Sequence, residues 1–256
     1  MFLEAALSWV RLFLFVILAL HFEPMNNKTA KRVLAENKAS YDRMSGEFSS
    51  SRARFWEELI FLGEHANPGM KVLDIGCGNG RFYEVIANRE TEYTGVDNSV
   101  GLLAEAKKKH PDVTFIEGDA TALPFPDASF DIAYSFAVIH HIPGRGLRKK
   151  FVQEAARVLH PGNTFIITSW YLWRPRYVMK LFLSGLRSVF LLSPLDLGDI
   201  MHTFGKAKHS RYLHAFTERG LKRLLEKNGF EVVASEIASR ESGSGEQNIL
   251  IIGRKR

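Results

Sequence analysis

Cysteine is nearly absent: Cys77 is the single one in 256 residues. One thiol cannot build a disulfide framework or a cysteine-rich zinc site, no other metal-ligand set stands out, and the chain suits a reducing cytoplasm. A fixed repeat period is missing too. With 46% apolar and 24% charged side chains, the composition is neither that of a disordered chain nor that of a fibrous one. A membrane-spanning run is also wanting. Leu12–Leu20 is unbroken, but extending it backward meets Arg11, Ser8 and Glu4, short of the roughly 20 apolar residues a bilayer requires. It lacks the basic n-region and small-x-small cleavage site of a signal peptide. Residues 1–24 therefore read as an upstream extension before a start at Met25, as a marginal anchor, or as a helix packed on the domain. The remaining length suits one large domain with a real core.

Charge is present but segregated. The formal excess is +6 over the whole chain. Residues 71–139 hold 6 basic and 11 acidic side chains, whereas residues 140–215 hold 12 basic and 3 acidic, with six of the nine histidines. Such a stretch is either a solvated basic face or a surface that meets phosphates.

From Met70 onward, short β-branched runs alternate with helical patterns, which implies parallel βαβ units. Strands are expected at Lys71–Ile75, Glu92–Val96, Val113–Ile116, Phe130–Ser135 and Thr164–Ser169, with helices at Val100–Lys109 and Leu147–Leu159. Trp170–Phe216 shows no strand signal. Thr217–Asn228 then reads as a helix capped by Thr217 and stopped by Gly229. Two strands, Phe230–Ile237 and Asn248–Gly253, close the chain through a flexible hairpin link over Glu241–Glu246. The expectation is a Rossmann-like, doubly wound, seven-stranded α/β sheet, mostly parallel with an antiparallel last strand. It would carry a helical arm over 25–69 and one insertion, 170–216, within a domain spanning 70–256.

Val72-Leu-Asp-Ile-Gly-Cys-Gly-Asn-Gly80 ends the first strand and opens a helix. Gly76 and Gly78 allow a tight turn and close backbone approach to a ligand; Gly80 allows close packing. Asp74 stands just upstream, and Asp97 ends the second strand, where such an acid accepts hydrogen bonds from ribose hydroxyls. Gly118-Asp119-Ala120 puts a third carboxylate on the same edge of the sheet. Glycine spacing alone would equally fit a dinucleotide dehydrogenase.

This constellation resembles the class I S-adenosylmethionine-dependent methyltransferases over roughly residues 70–256. The resemblance implies S-adenosyl-L-methionine as cofactor. It assigns Asp74 and the loop of Gly76, Cys77, Gly78 and Gly80 to the methionine part, Asp97 with Asn98 to the ribose, and Asp119 with Ala120 to the adenine. Ser135 joins them at the end of the fourth strand. Cys77 is a small loop residue here rather than a nucleophile. His160-Pro-Gly-Asn163 departs from the family's usual Pro-Gly-Gly, and asparagine tolerates the positive φ such a turn needs.

Three further stretches resemble the tRNA wobble-uridine carboxymethyl methyltransferases. Phe48, Ser49, Arg52 and Trp56 match an arm motif, Ala137 to His141 match an Ala-Val-Ile-His-His segment, and Arg211, Tyr212, His214 and Phe216 match an Arg-Tyr-x-His-x-Phe segment. That likeness implies a tRNA partner and a small activating protein. A carboxylate acceptor needs placement rather than a strong base. Arg52, Arg54 and Arg211 are then candidate clamps, with His140, Tyr212 and His214 as polar positioners. The bland alternatives are exposed charges for Arg52 and Arg54, pocket shaping for His140 and His141, and core packing for Tyr212 and Phe216. The insertion lacks that family's Val-Pro-Trp element. Its apolar, basic-studded stretch over 171–192 reads either as a lid or, with residues 1–24, as a membrane contact suiting a quinone-like or lipid acceptor. A catalytically silent scaffold is the third alternative, disfavoured by the intact glycine loop and acids.

Overall fold

The computed structural model describes residues 25–52, 54–189, 193–204, 209–239 and 247–256. The expected leader over 1–24 and the link over Glu241–Glu246 lie outside them. Among the described residues the chain runs α1 (Asn27–Ser51), a 3-10 segment (Glu57–His65), β1 (Lys71–Ile75), α2 (Tyr83–Ile86), β2 (Glu92–Asp97), α3 (Val100–Lys109), β3 (Thr114–Glu117) and β4 (Phe130–Phe136). It continues through a 3-10 turn (Ile139–His141), α4 (Arg145–Val158), β5 (Leu159–Trp170), α5 (Pro175–Val189), β6 (Asp199–Phe204), β7 (His209–His214), α6 (Glu218–Glu226), β8 (Phe230–Ser239) and β9 (Gln247–Lys255).

Seven strands form one sheet in the order β3-β2-β1-β4-β5-β9-β8. The first five are mutually parallel, and β9 runs antiparallel between β5 and β8. This is the doubly wound architecture expected, with the strand order reversing between β1 and β4, where such sheets open a crevice at their carboxyl ends. Val72, Leu73 and Ile75 are fully buried, as a central strand covered on both faces requires. One face packs on Phe151, Phe165 and Phe230, the other on Phe82, Tyr134 and Leu62. At the turn into β5 the positive φ falls on Gly162, so Asn163 needs no left-handed conformation.

The arm is strapped across the carboxyl edge. Asn26 caps α1 by accepting from the Thr29 amide at 2.9 Å, and α1 crosses α3 so closely that a Cβ on Gly101 would meet Ser45 Oγ at 2.8 Å. Asp42 Oδ1 accepts from Ser99 Oγ at 2.6 Å and from the Gly101 amide at 3.2 Å, tying the arm to the amino end of α3.

Trp170–Phe216 corrects the sequence reading. It contains α5 and an antiparallel hairpin of β6 and β7. The strand signal was hidden because the inward side chains are polar. Asp199 is fully buried and accepts from Tyr212 OH and His214 Nδ1, both at 2.6 Å, and from the Asp196 amide at 2.9 Å. Arg148 of α4 reaches into the cluster, bonding Tyr212 OH at 3.0 Å and Asp196 Oδ2 at 3.3 Å. A buried ionic cluster joins the hairpin to α4, while Ile200 and Leu213 on its other face pack with Leu172, Tyr177 and Leu181.

Candidate active site

The carboxyl ends of β1, β2, β3 and β4, together with α1 and β7, enclose a cleft of about 1080 Å³ of empty space that opens to solvent. Its floor is the glycine loop. The Gly76 and Cys77 amides donate to Val96 O at 2.7 and 3.1 Å, which folds the loop back on β2. A Cβ at Gly76 would lie 2.3 Å from Val138 Cγ2. Gly80 abuts the Phe115 ring, 2.9 Å from a built Cβ, in the packing role expected of it rather than facing the cleft. Cys77 is buried and burial pushes its thiol pKa well up, so it is no nucleophile.

Two carboxylates look into this floor. Asp74 Oδ2 accepts from Tyr93 OH at 2.8 Å, while Oδ1 is buried with no protein partner. Burial raises its pKa to about 7, against the lowering hydrogen bond from Tyr93. Asp97 accepts from the Gly78 amide at 2.9 Å and the Ser99 amide at 2.8 Å. Its pKa is raised by burial, with those bonds opposing. Dry, partly unsatisfied acceptors call for a ligand bearing donors or positive charge. Asn98, Asp119 and Ala120 line the same side, and Asp119 Oδ1 accepts from the Thr121 amide and hydroxyl, each at 2.8 Å.

The opposite wall is cationic and aromatic. Arg52, at the end of α1, lies 4.8 Å over the Phe48 ring. Arg211 of β7 lies 4.7 Å over Trp170 and donates to Tyr41 OH at 3.3 Å. Arg81 lies 3.9 Å over Trp56. Tyr41 OH meets His141 Nε2 at 2.8 Å, and His141 Nδ1 meets the Tyr212 carbonyl at 3.1 Å. A carbonyl only accepts, so the His141 proton sits on Nδ1, and Tyr41 donates to Nε2. Burial and the nearby Arg211 lower the His141 pKa to about 3, which keeps the ring neutral. Ala137, a non-glycine at φ 58°, turns the chain out of β4 toward this wall; its amide is held by Thr168 Oγ1 at 3.0 Å.

Five expected site residues do not face the cleft: Gly80, His140, Tyr212, His214 and Ser135. In the 3-10 turn, neighbouring side chains diverge by roughly 120°, so His141 faces the cleft and His140 does not. The His140 ring is buried, stacks on Trp170 at 5.0 Å, and accepts from the Trp170 amide at 3.2 Å. Along β7, alternation sends Arg211 to the cleft and Tyr212 and His214 to the Asp199 cluster on the other side. Ser135 Oγ donates to Ile75 O at 2.9 Å, bracing β4 against β1 inside the sheet. Arg54 is exposed, and Phe216 packs in the core. Sequence reasoning missed Tyr41, Arg81 and Trp170 as cleft residues. Tyr41 stands seven residues before Phe48, where the matched arm motif begins, so it alone carried a signal.

Residues 73–167 match a family model described as a methyltransferase domain. A protein of Encephalitozoon cuniculi, named as a methyltransferase, is 33% identical over 195 residues, covering 75% of this chain and 86% of its own. The chain belongs to the S-adenosylmethionine-dependent methyltransferases. Other relatives of this methyltransferase align over about half of it. A demethylmenaquinone methyltransferase of Renibacterium salmoninarum is 36% identical over 136 residues, 51% of this chain and 54% of that one. A tRNA (carboxymethyluridine(34)-5-O)-methyltransferase of Arabidopsis thaliana is 35% identical over 130 residues, 51% of this chain and 31% of that one. The methyltransferase thus spans about half or less of the length of these two relatives. Among solved structures, a methyltransferase of Methanosarcina mazei superposes with a TM-score of 0.67 at 22% identity, covering 79% of this chain and 98% of that one. A Haloferax volcanii methyltransferase in complex with the Trm112 activator gives 0.61 at 15% identity, over 86% and 97%. The cofactor is S-adenosylmethionine, and the floor of the cleft fits it: Asp74 Oδ1, a buried acceptor without a protein donor, suits a ligand that carries an ammonium group, and the Asp97 carboxylate beside it can accept further from ribose hydroxyls. Among the described residues, no group of three or more His, Cys, Asp or Glu is placed to hold a metal ion, and no helix is long and apolar enough to cross a membrane.

Proposed function

We propose that this methyltransferase esterifies a carboxylate, and that its acceptor is the carboxymethyl group of a wobble uridine in tRNA. The observation that carries this reading is the pair Arg52 and Arg211, which both line the cofactor cleft with their guanidinium groups held over aromatic rings. A guanidinium fork suits a carboxylate, and the ring beneath it keeps the fork in place.

In this reading Asp74 takes the cofactor's ammonium group, Asp97 with Asn98 its ribose hydroxyls, and Asp119 with Ala120 its adenine. Gly76, Cys77 and Gly78 shape the loop beneath the methionine part. When bound, the cofactor supplies a methyl group on a positively charged sulfur. Arg52 and Arg211 would hold the acceptor carboxylate in the cleft, on the side across from the carboxylates of the floor. Because the acceptor oxygen already bears charge, no base is required, and the neutral His141 serves by fixing Tyr41, which in turn steadies Arg211. The exposed basic side chains of residues 140–215 outside α5 meet the RNA backbone, a salt-sensitive contribution. The plant relative supports the tRNA acceptor. The Haloferax complex supports a small activator as partner, and the cytoplasm is the matching compartment. The arm over 25–69 and the domain over 70–256, with its insertion at 170–216, act as one unit around the cleft.

A second reading, transfer to a quinone-like or lipid acceptor, is favoured by the exposed apolar side chains of α5 and by the demethylmenaquinone relatives. The deciding experiment incubates the enzyme with labelled S-adenosylmethionine and total RNA, lipid and metabolite fractions. Label in tRNA that is released as methanol by mild alkali is the expected result. Label in the lipid fraction alone overturns the tRNA reading.

A further inference from the structure

Helix α5 divides into three sectors when its residues are set about 100° apart. Tyr177, Leu181 and Ser188 are buried and face the hairpin, where Tyr177 meets His202 edge-on at 5.6 Å and Ser184 Oγ donates to Asp199 O at 2.6 Å. Val178, Met179, Phe182 and Leu183 occupy a second arc of roughly 140°. They point outward, Met179 with 64% and Phe182 with 60% of their surface exposed. Trp173, just before the helix, and Met201 on the hairpin add to the exposed apolar surface. Arg176, Lys180 and Arg187 stand together along one border of that arc, all exposed. No acidic residue occurs between Glu154 and Asp196.

Monomeric soluble proteins rarely expose contiguous large apolar side chains in this way, and such a patch marks a partner. Its chemistry selects the partner. An RNA face would be basic with stacking rings, whereas here the wide sector is mostly aliphatic. The 15 residues of α5 extend only about 22 Å, too short to cross a bilayer but suited to lying in its interface. The cationic border matches anionic headgroups, with the long side chains reaching up from the apolar layer.

We infer that α5 adsorbs this methyltransferase to the surface of membranes containing anionic lipid. The outward apolar arc enters the acyl boundary, and Arg176, Lys180 and Arg187 sit at the headgroups. This does not rest on which acceptor is methylated.

The test is co-sedimentation of the full chain with vesicles of phosphatidylcholine, with and without phosphatidylglycerol. The expected result is binding to the anionic vesicles that weakens with added salt and falls at least about tenfold in the double variant Phe182→Glu, Leu183→Glu. The triple variant Arg176→Ala, Lys180→Ala, Arg187→Ala should bind anionic vesicles no better than neutral ones. Both variants should keep the cofactor affinity of the parent, which shows that they fold. Absence of vesicle binding overturns the inference, as does binding that survives Phe182→Glu, Leu183→Glu. Loss of tRNA affinity with vesicle binding intact would make α5 an RNA surface and overturn it equally.

Discussion

On the cofactor side of the cleft, polar groups are held mostly by backbone nearby in sequence. Across from it, most are held by groups from a distant part of the chain. The Gly78 amide and Asp97 that it meets are 19 residues apart; Arg211 and the Tyr41 hydroxyl are 170 apart, and Asn37 and the Tyr212 amide 175. The first wall is a loop closed on the neighbouring strand β2 and is stiff by construction. The second depends on the arm, α4 and the hairpin all being in place, and it can be recut for another acceptor without touching the first. A fold that keeps one donor and serves many acceptors has this division.

The comparison breaks most visibly at its buried anchor. Asp199→Ala takes from the Tyr212 hydroxyl and His214 Nδ1 the buried acceptor they share, and the expected loss of stability is about 3–5 kcal/mol in denaturant unfolding. A loss below about 1 kcal/mol would mean that the hairpin is held by packing alone. Next comes the opposite wall: with Asp97→Ala, calorimetry should show cofactor affinity falling about 10- to 100-fold, the worth of hydrogen bonds to a charged group. Unchanged affinity would move the ribose contact elsewhere. Arg211→Lys keeps the charge but loses the fork. It should lower kcat/KM for the acceptor about tenfold or more and leave the cofactor Kd within about twofold. A change in the cofactor Kd of similar size would erase the distinction between the walls.

The smallest effect is a pH dependence. Asp74 has its pKa raised by burial to about 7, so it becomes fully ionised only above that. Affinity for the cationic cofactor should therefore rise with pH up to about 7 and level off beyond it. Asp74→Asn should flatten the profile, and Tyr93→Phe, which removes the hydrogen bond that lowers the pKa, should move the midpoint upward. The same group costs stability as pH climbs from 3.8 toward about 7, because the folded chain keeps a proton that the unfolded chain releases.

Legibility followed the same divide. β1, the glycine loop and Asp97 read directly from residues because strand, turn and acid are neighbours, and the charge of each is declared by its type. The helix Val100–Lys109 emerged with the expected bounds. On the far wall the residue types were visible, but their directions were not. Whether His140 or His141 faces the cleft depends on where a 3-10 turn begins, and whether Arg211 or Tyr212 does depends on a strand whose inward face is polar. Trp170 and Arg81 gave no warning, since an aromatic at a strand end and an arginine after a glycine loop are ordinary residues until something distant packs on them.

The Asn37 side chain, bonded at once to His141 O and to the backbone of Tyr212, has a consequence for biosynthesis. The chain emerges from the ribosome amino terminus first, so the residues proposed to hold the methyl donor are all made once Ala120 has appeared. Asn37 must wait for Tyr212, near the end of translation, to close its second bond. A nascent chain thus carries every residue proposed for the donor well before the acceptor wall can close, and a truncation ahead of β7 would lack both that wall and the strands β8 and β9, which carry Phe230, Ile249 and Ile251 of the core.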